Sequence, residues 1–128
     1  MEKKFEEFIR KTREKYTETG PMPCPAFGNE LIYFKKSYFK HLLRKRGILR
    51  SESEQKRKLI LFKYALEIIK STKVIDEYRK GKKINDPEAG QFWALSKIYG
   101  NRKVSVIIRQ IGSNQKHFFS VKDEETRN

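Results

Sequence analysis

Lys103-Val104-Ser105-Val106-Ile107-Ile108-Arg109-Gln110-Ile111, then Gly112-Ser113-Asn114-Gln115, then Lys116-His117-Phe118-Phe119-Ser120-Val121, is the stretch on which the fold turns. Two runs rich in β-branched and aromatic residues flank four residues of turn chemistry, the pattern of a β-hairpin. With Ile111 opposite Lys116, Arg109 faces Phe118, Ile107 faces Ser120 and Ile108 faces Phe119. Strand alternation then gives one apolar face of Val104, Val106, Ile108, Phe119 and Val121. His117 falls on that side beside Gln110 near the tip, either packed or projecting past the sheet edge. The other face carries Ile107, Arg109, Ile111, Lys116, Phe118 and Ser120, a mixture of cation, hydroxyl and ring that suits phosphate and base contacts. A one-residue slip of either strand inverts its part of this assignment.

Working outward, Phe92–Tyr99 reads as the preceding strand, joined through Tyr99-Gly100-Asn101-Arg102, and Val74–Tyr78 as a weak first strand. Lys80–Gly90 between them has loop composition. Upstream the period changes to that of helices. Ser53 and Gln55–Ser71 bound one whose row Leu59, Phe62, Leu66 and Ile69 is widened by Leu61, Ala65 and Ile68. Lys36–Arg46 predicts another, burying Phe39, Leu42 and Leu43 and presenting Ser37, His41, Arg44 and Lys45, with Gly47 as its stop. Ser37 and Tyr38 read as helix-start and packing residues. Leu31–Phe34 is a short strand before it, and residues 3–16 form an amphipathic helix with Phe5, Phe8 and Ile9 on its stripe. Pro21, Pro23 and Pro25 break that helix into a linker or wrapping arm. The expected architecture is α+β, with N-terminal helices packed on a four-stranded antiparallel sheet. It divides into a helix and Pro-rich arm (1–26), a main domain (27–122) and a frayed polar tail (123–128).

The chain has 128 residues, with 30 Lys+Arg against 16 Asp+Glu and a net charge of +14. Nine Phe, six Tyr and one Trp supply a core that a disordered polycation would lack. The single cysteine, Cys24, excludes an internal disulfide and a Cys-based zinc cluster. With no apolar run of membrane-spanning length and a charged N-terminus without an apolar signal core, the expected location is the reducing cytoplasm, with no membrane partner. So large a positive charge calls for a polyanion, nucleic acid first, with an acidic protein partner or a solubility role as the other readings. Arg44, Lys45, Lys97, Arg102, Lys103 and Lys116 are the candidate phosphate contacts.

Phosphate-cradling glycine loops, zinc-protease helices and serine-nucleophile elbows are absent from the sequence. Two histidines and one cysteine, far apart, speak against a transition-metal site. Asp76, Glu77, Asp86 and Glu88 read as solvated charges. No metal and no cofactor is expected.

Tyr33–Leu42, the helix segment Ala65–Ile69, Tyr99-Gly100, Val104–Arg109 and Lys116–Val121, in that order, resemble the barnase/EndoU/colicin/RelE-like group of small ribonucleases, especially its phage and mobile-element members. The resemblance covers roughly residues 27–122 and rests on the order of elements more than on any one motif. It implies helices on a four-stranded antiparallel sheet and a toxin-like, metal-independent endoribonuclease that cuts tRNA or mRNA by attack of a 2′-OH on the phosphate. It also implies an acidic antitoxin or immunity partner. His41 matches the group's helix histidine, Arg109 its basic residue on the penultimate strand, and Ser120 its hydroxyl residue on the last. The second histidine that some phage members carry after the first is missing here, where Leu42-Leu43-Arg44 follows. His117 or Tyr99 is then the candidate second proton carrier, or cations act by electrostatics alone.

Histidine suits both proton transfers because its pKa lies near operating pH. The cations Lys40, Arg44 and Lys45 around His41 favour a neutral base. Arg109 and Lys116 would hold the scissile phosphate and Ser120 would hydrogen-bond one of its oxygens. The rival reading is a non-catalytic nucleic-acid-binding module, in which the same cations contact phosphates only.

Overall fold

The computed structural model describes residues 3–81 and 90–126. Helix α1 (Lys3–Glu18) is followed by strand β1 (Met22–Cys24), a 3-10 turn (Pro25–Phe27) and β2 (Glu30–Tyr33). A second 3-10 turn (Lys36–Tyr38) enters the single-turn helix α2 (Lys40–Leu43), which leads into β3 (Arg44–Lys45) and β4 (Ile48–Leu49). Helix α3 (Glu52–Ser71) precedes β5 (Glu77–Lys80), β6 (Gln91–Tyr99), β7 (Arg102–Gln110) and β8 (Lys116–Glu125).

The main sheet has six strands, not four, in the order β1-β2-β8-β7-β6-β5, while β3 and β4 form a separate hairpin. The two additional strands come from the arm and from the short run after it. β1 pairs antiparallel with β2, and β2 runs parallel to β8 with Tyr33 beside His117. Pro23 sits in β1, where the missing N–H is harmless because an edge strand has no outer partner. The expected helix over 36–46 is also shorter. Arg46 (φ 53°) and Gly47 (φ 79°) both take the left-handed conformation that a two-residue hairpin requires, so Arg44 and Lys45 leave the helix and pair with Leu49 and Ile48. β5 begins at Glu77 rather than Val74, whose side chain is 72% exposed. The loop expected over 80–90 contributes Lys80 to β5; residues 82–89 lie outside the described residues.

Helix α3 starts where Ser51 accepts a hydrogen bond from the Glu54 amide, with Glu52 and Glu54 in its positive first turn. It lies against β1, β7 and β8. Its Leu59, Phe62, Ala65, Ile68 and Ile69 bury against Leu95, Val104, Val106, Ile108 and Val121 of the sheet. Tyr16 of α1 is almost wholly buried, packs against Phe34, Phe39, Phe62 and Phe118, and donates its hydroxyl to the Lys35 carbonyl at 2.6 Å. The boundary expected at 26/27 therefore runs through one packed body, to which Phe5, Tyr16 and Cys24 belong. Residues 123–125 of the expected tail are likewise part of the sheet. β8 continues to Glu125 opposite Arg102, and Asp123 accepts hydrogen bonds from Arg57 and Arg102.

The β7–β8 register follows the expected pairing from Arg102↔Glu125 to Ile107↔Ser120 and then slips. The next pair is Ile108↔Phe118 and the next Arg109↔His117, so Phe119 is an extra residue on β8, a β-bulge. Phe118, not Phe119, is the fully buried ring. This corrects the expected core face, because one inserted residue resets the alternation of everything beyond it. The bulge yields a test. Phe118→Ala is expected to cost about 3–5 kcal/mol in urea unfolding, and Phe119→Ala at most about half of that. Equal losses would contradict the slipped register.

Candidate active site

Beyond the bulge, His117 stands directly opposite Arg109 instead of beside Gln110 on the core side. The Arg109 guanidinium lies over two rings, 5.4 Å from the centre of Phe92, its partner on β6, and 5.3 Å from that of Phe119. The turn and helix over 36–43 cover the same patch. Tyr38 packs edge-on against His41 (5.3 Å between ring centres), His117 (6.0 Å) and Phe119 (5.6 Å). His41 lies 4.7 Å from Phe119. Residues from the second 3-10 turn, α2, β6, β7 and β8, far apart in the chain, thus converge on one aromatic floor: both histidines, Arg109, and the rings of Tyr38, Phe92 and Phe119. Ser120 sits two rungs from Arg109 along the ladder, opposite Ile107.

Both imidazoles are half-buried and both titrate below the ordinary histidine value. For His41 the main cause is burial, followed by the charges of Lys40, Arg109 and Arg50. For His117 burial again leads, then Lys35, while a hydrogen bond with the Gln115 backbone pulls the other way. Arg50 also donates to the His41 carbonyl at 3.3 Å, bracing the helix that carries the ring.

The other expected site residues lie elsewhere. Tyr99 pairs with Arg102 at the far end of β6, about seven strand residues or 23 Å from Phe92. Its phenol is pushed up to about 12 by burial and by Glu67. Lys116 turns to the Trp93 side, 5.0 Å over that ring, with its ammonium on the Glu30 carboxylate at 2.9 and 3.0 Å. It was expected on the Arg109 face; the bulge moves it. Lys97 binds Glu67, Lys103 binds Asp76, and Arg102 binds Asp123. Burial alone would raise the Asp123 carboxyl, but hydrogen bonds from Arg57 and Arg102 outweigh it and hold the group below its usual range. Arg44 and Lys45 are exposed on the β3–β4 hairpin.

Asp76 also accepts from Ser96, and Glu77 pairs with Arg79; Asp86 and Glu88 lie outside the described residues. Among the described residues, no three His, Cys, Asp or Glu side chains gather into a metal-binding group, and no helix is long and apolar enough to cross a membrane. Tyr38, Phe92 and Phe119 belong to the site although sequence reasoning gave them no functional role. Only their composition, aromatic residues near cations, pointed that way. Comparison with protein-family models, with curated proteins and with solved structures gave no match.

The depressed histidines set a pH test. Above about 6.5 both are neutral in the folded and unfolded chains and contribute nothing. As pH falls below that value the unfolded chain takes up protons first, so stability declines until the folded-state values are passed. Urea midpoints measured from pH 8 to pH 5 are expected to fall, less steeply in His41→Asn and in His117→Asn. The same slope in both variants would contradict the burial of the rings.

Proposed function

We propose that this protein is a toxin-like endoribonuclease whose own side chains carry the proton transfers. The observation that supports this reading is the convergence of His41, His117 and Arg109 on the Tyr38–Phe119 floor. Neutral His41, half-buried with Lys40, Arg109 and Arg50 around it, takes the proton from a 2′-OH as its oxygen bonds to phosphorus. His117, whose backbone hydrogen bond favours the protonated form, delivers a proton to the departing 5′-oxygen as that P–O bond breaks. The products are a 2′,3′-cyclic phosphate and a 5′-OH. The Arg109 guanidinium, backed by two rings, neutralises charge on the phosphorane, and the Ser120 hydroxyl donates to a phosphate oxygen.

Phe92 also walls a cleft of about 260 Å³ lined by Glu77, Arg79, Trp93, Ala94, Ile107 and Lys122, which gives a base adjoining the reacting phosphate somewhere to stack. A cytoplasmic site of action is part of this reading, and a free, buried Cys24 is compatible with it. The binding-only reading draws less support, because Lys97, Arg102, Lys103 and Lys116 are engaged by carboxylates of the chain itself.

Incubation with RNA in EDTA tests the proposal. Cleavage leaving 2′,3′-cyclic phosphate ends is expected, with a bell-shaped pH profile whose optimum lies below about 6.5. His41→Ala and His117→Ala are each expected to lose about 10²-fold or more and one limb of the bell. Folded variants that cut as fast as the parent, or a parent that cuts nothing, would overturn it.

A further inference from the structure

A second feature lies on the other side of the segment that carries Tyr38 and His41. A groove of about 470 Å³ runs between α1, residues 36–43 and the β3–β4 hairpin, lined by Arg13, Thr17, Lys36, Ser37, Lys40 and Arg44 over Phe39, Leu43 and Leu49. Four of its lining residues are cations and none is a carboxylate. On the sheet Lys97, Arg102, Lys103 and Lys116 form ion pairs, but Arg13, Lys36, Lys40 and Arg44 form no salt bridge among the described residues. Arg13 rests 5.2 Å over the Phe39 ring, and Arg44 donates to the Gly47 carbonyl at 3.1 Å, contacts that orient each guanidinium without neutralising it.

We infer that this groove holds the sugar–phosphate backbone of a single-stranded RNA that continues from the active site. Two hydroxyls and four cations above an apolar floor match alternating phosphate and sugar. The groove is walled by the same turn and helix that present His41, with Lys36, Ser37 and Lys40 on one side and Tyr38 and His41 on the other, so one strand reaches both within about a helix diameter, roughly 10 Å. The choice of RNA rests on the active-site reading above; the affinity for a polyanion does not. The inference also gives α1 a role, since the helix supplies Arg13 and Thr17.

Fluorescence anisotropy with a labelled single-stranded 2′-O-methyl oligoribonucleotide, which lacks the attacking 2′-OH, tests binding apart from cleavage. In the Arg13→Gln/Lys36→Gln/Lys40→Gln variant the slope of log K against log salt, between about 50 and 200 mM, is expected to shrink by about 2, or about 0.7 per cation. A control with the same charge loss, Lys63→Gln/Lys70→Gln/Lys73→Gln, is expected to keep the parent slope. Circular dichroism establishes that each variant is folded. An unchanged slope in the groove variant, an equal loss in the control, or equally tight and equally groove-dependent binding of polyglutamate would overturn the inference. If the parent leaves ordinary RNA intact while the slope still shrinks as expected, the active-site reading fails and the groove stands.

Discussion

One extra residue in one strand organises this molecule. A β-ladder forces side chains to alternate between faces, so without an irregularity Phe118 and His117 would each lie on the opposite side from where they are found. The bulge at Phe119 sends Phe118 into the core, where it meets Tyr16, Phe34 and Phe62, and leaves His117 opposite Arg109. Core and candidate site thus depend on the same insertion. Burying the Phe118 ring fixes the register, and the register sets which polar groups share a face with Arg109.

Charge is distributed with equal consequence. The chain carries +14, yet much of the positive charge on the sheet is tied to carboxylates. Asp123 holds both Arg57 and Arg102, so the end of β8 is clamped to α3 and β7. Four cations without such partners among the described residues, Arg13, Lys36, Lys40 and Arg44, line the groove on the other side of the segment bearing His41. A partly buried imidazole beside like charges stays neutral at a pH where it can accept a proton, which is the state a general base requires.

Much of this was legible from residue types and spacing. Helical periodicity located α1 and α3, and runs of β-branched and aromatic residues between turn residues located β6, β7 and β8. Short pieces were harder to read. Met22-Pro23-Cys24 reads as a proline arm because a strand of three residues has no period of its own; only its pairing with β2 makes it one. Lys36–Arg46 reads as one helix because its apolar spacing continues, but Arg46-Gly47 demands a hairpin and the hairpin claims Arg44 and Lys45. His41, Arg109 and His117 were all identified as candidates, and the fold brings them together. Tyr99 and Lys116 were drawn from the same reasoning and lie elsewhere, since the far end of a strand and a shifted register are properties of the assembled sheet. Tyr38 looked like packing because its partners are distant in the chain.

On the proposed function, His41 and His117 belong to a single phosphate-binding site. NMR titration of both imidazoles, alone and with a saturating 3′-nucleotide, tests it most directly. Both are expected to titrate below about 6.5 in the unliganded protein, and both to shift upward when the phosphate is bound, because an anion facing each ring stabilises its protonated form. An upward shift of one ring with no response from the other would contradict the claim.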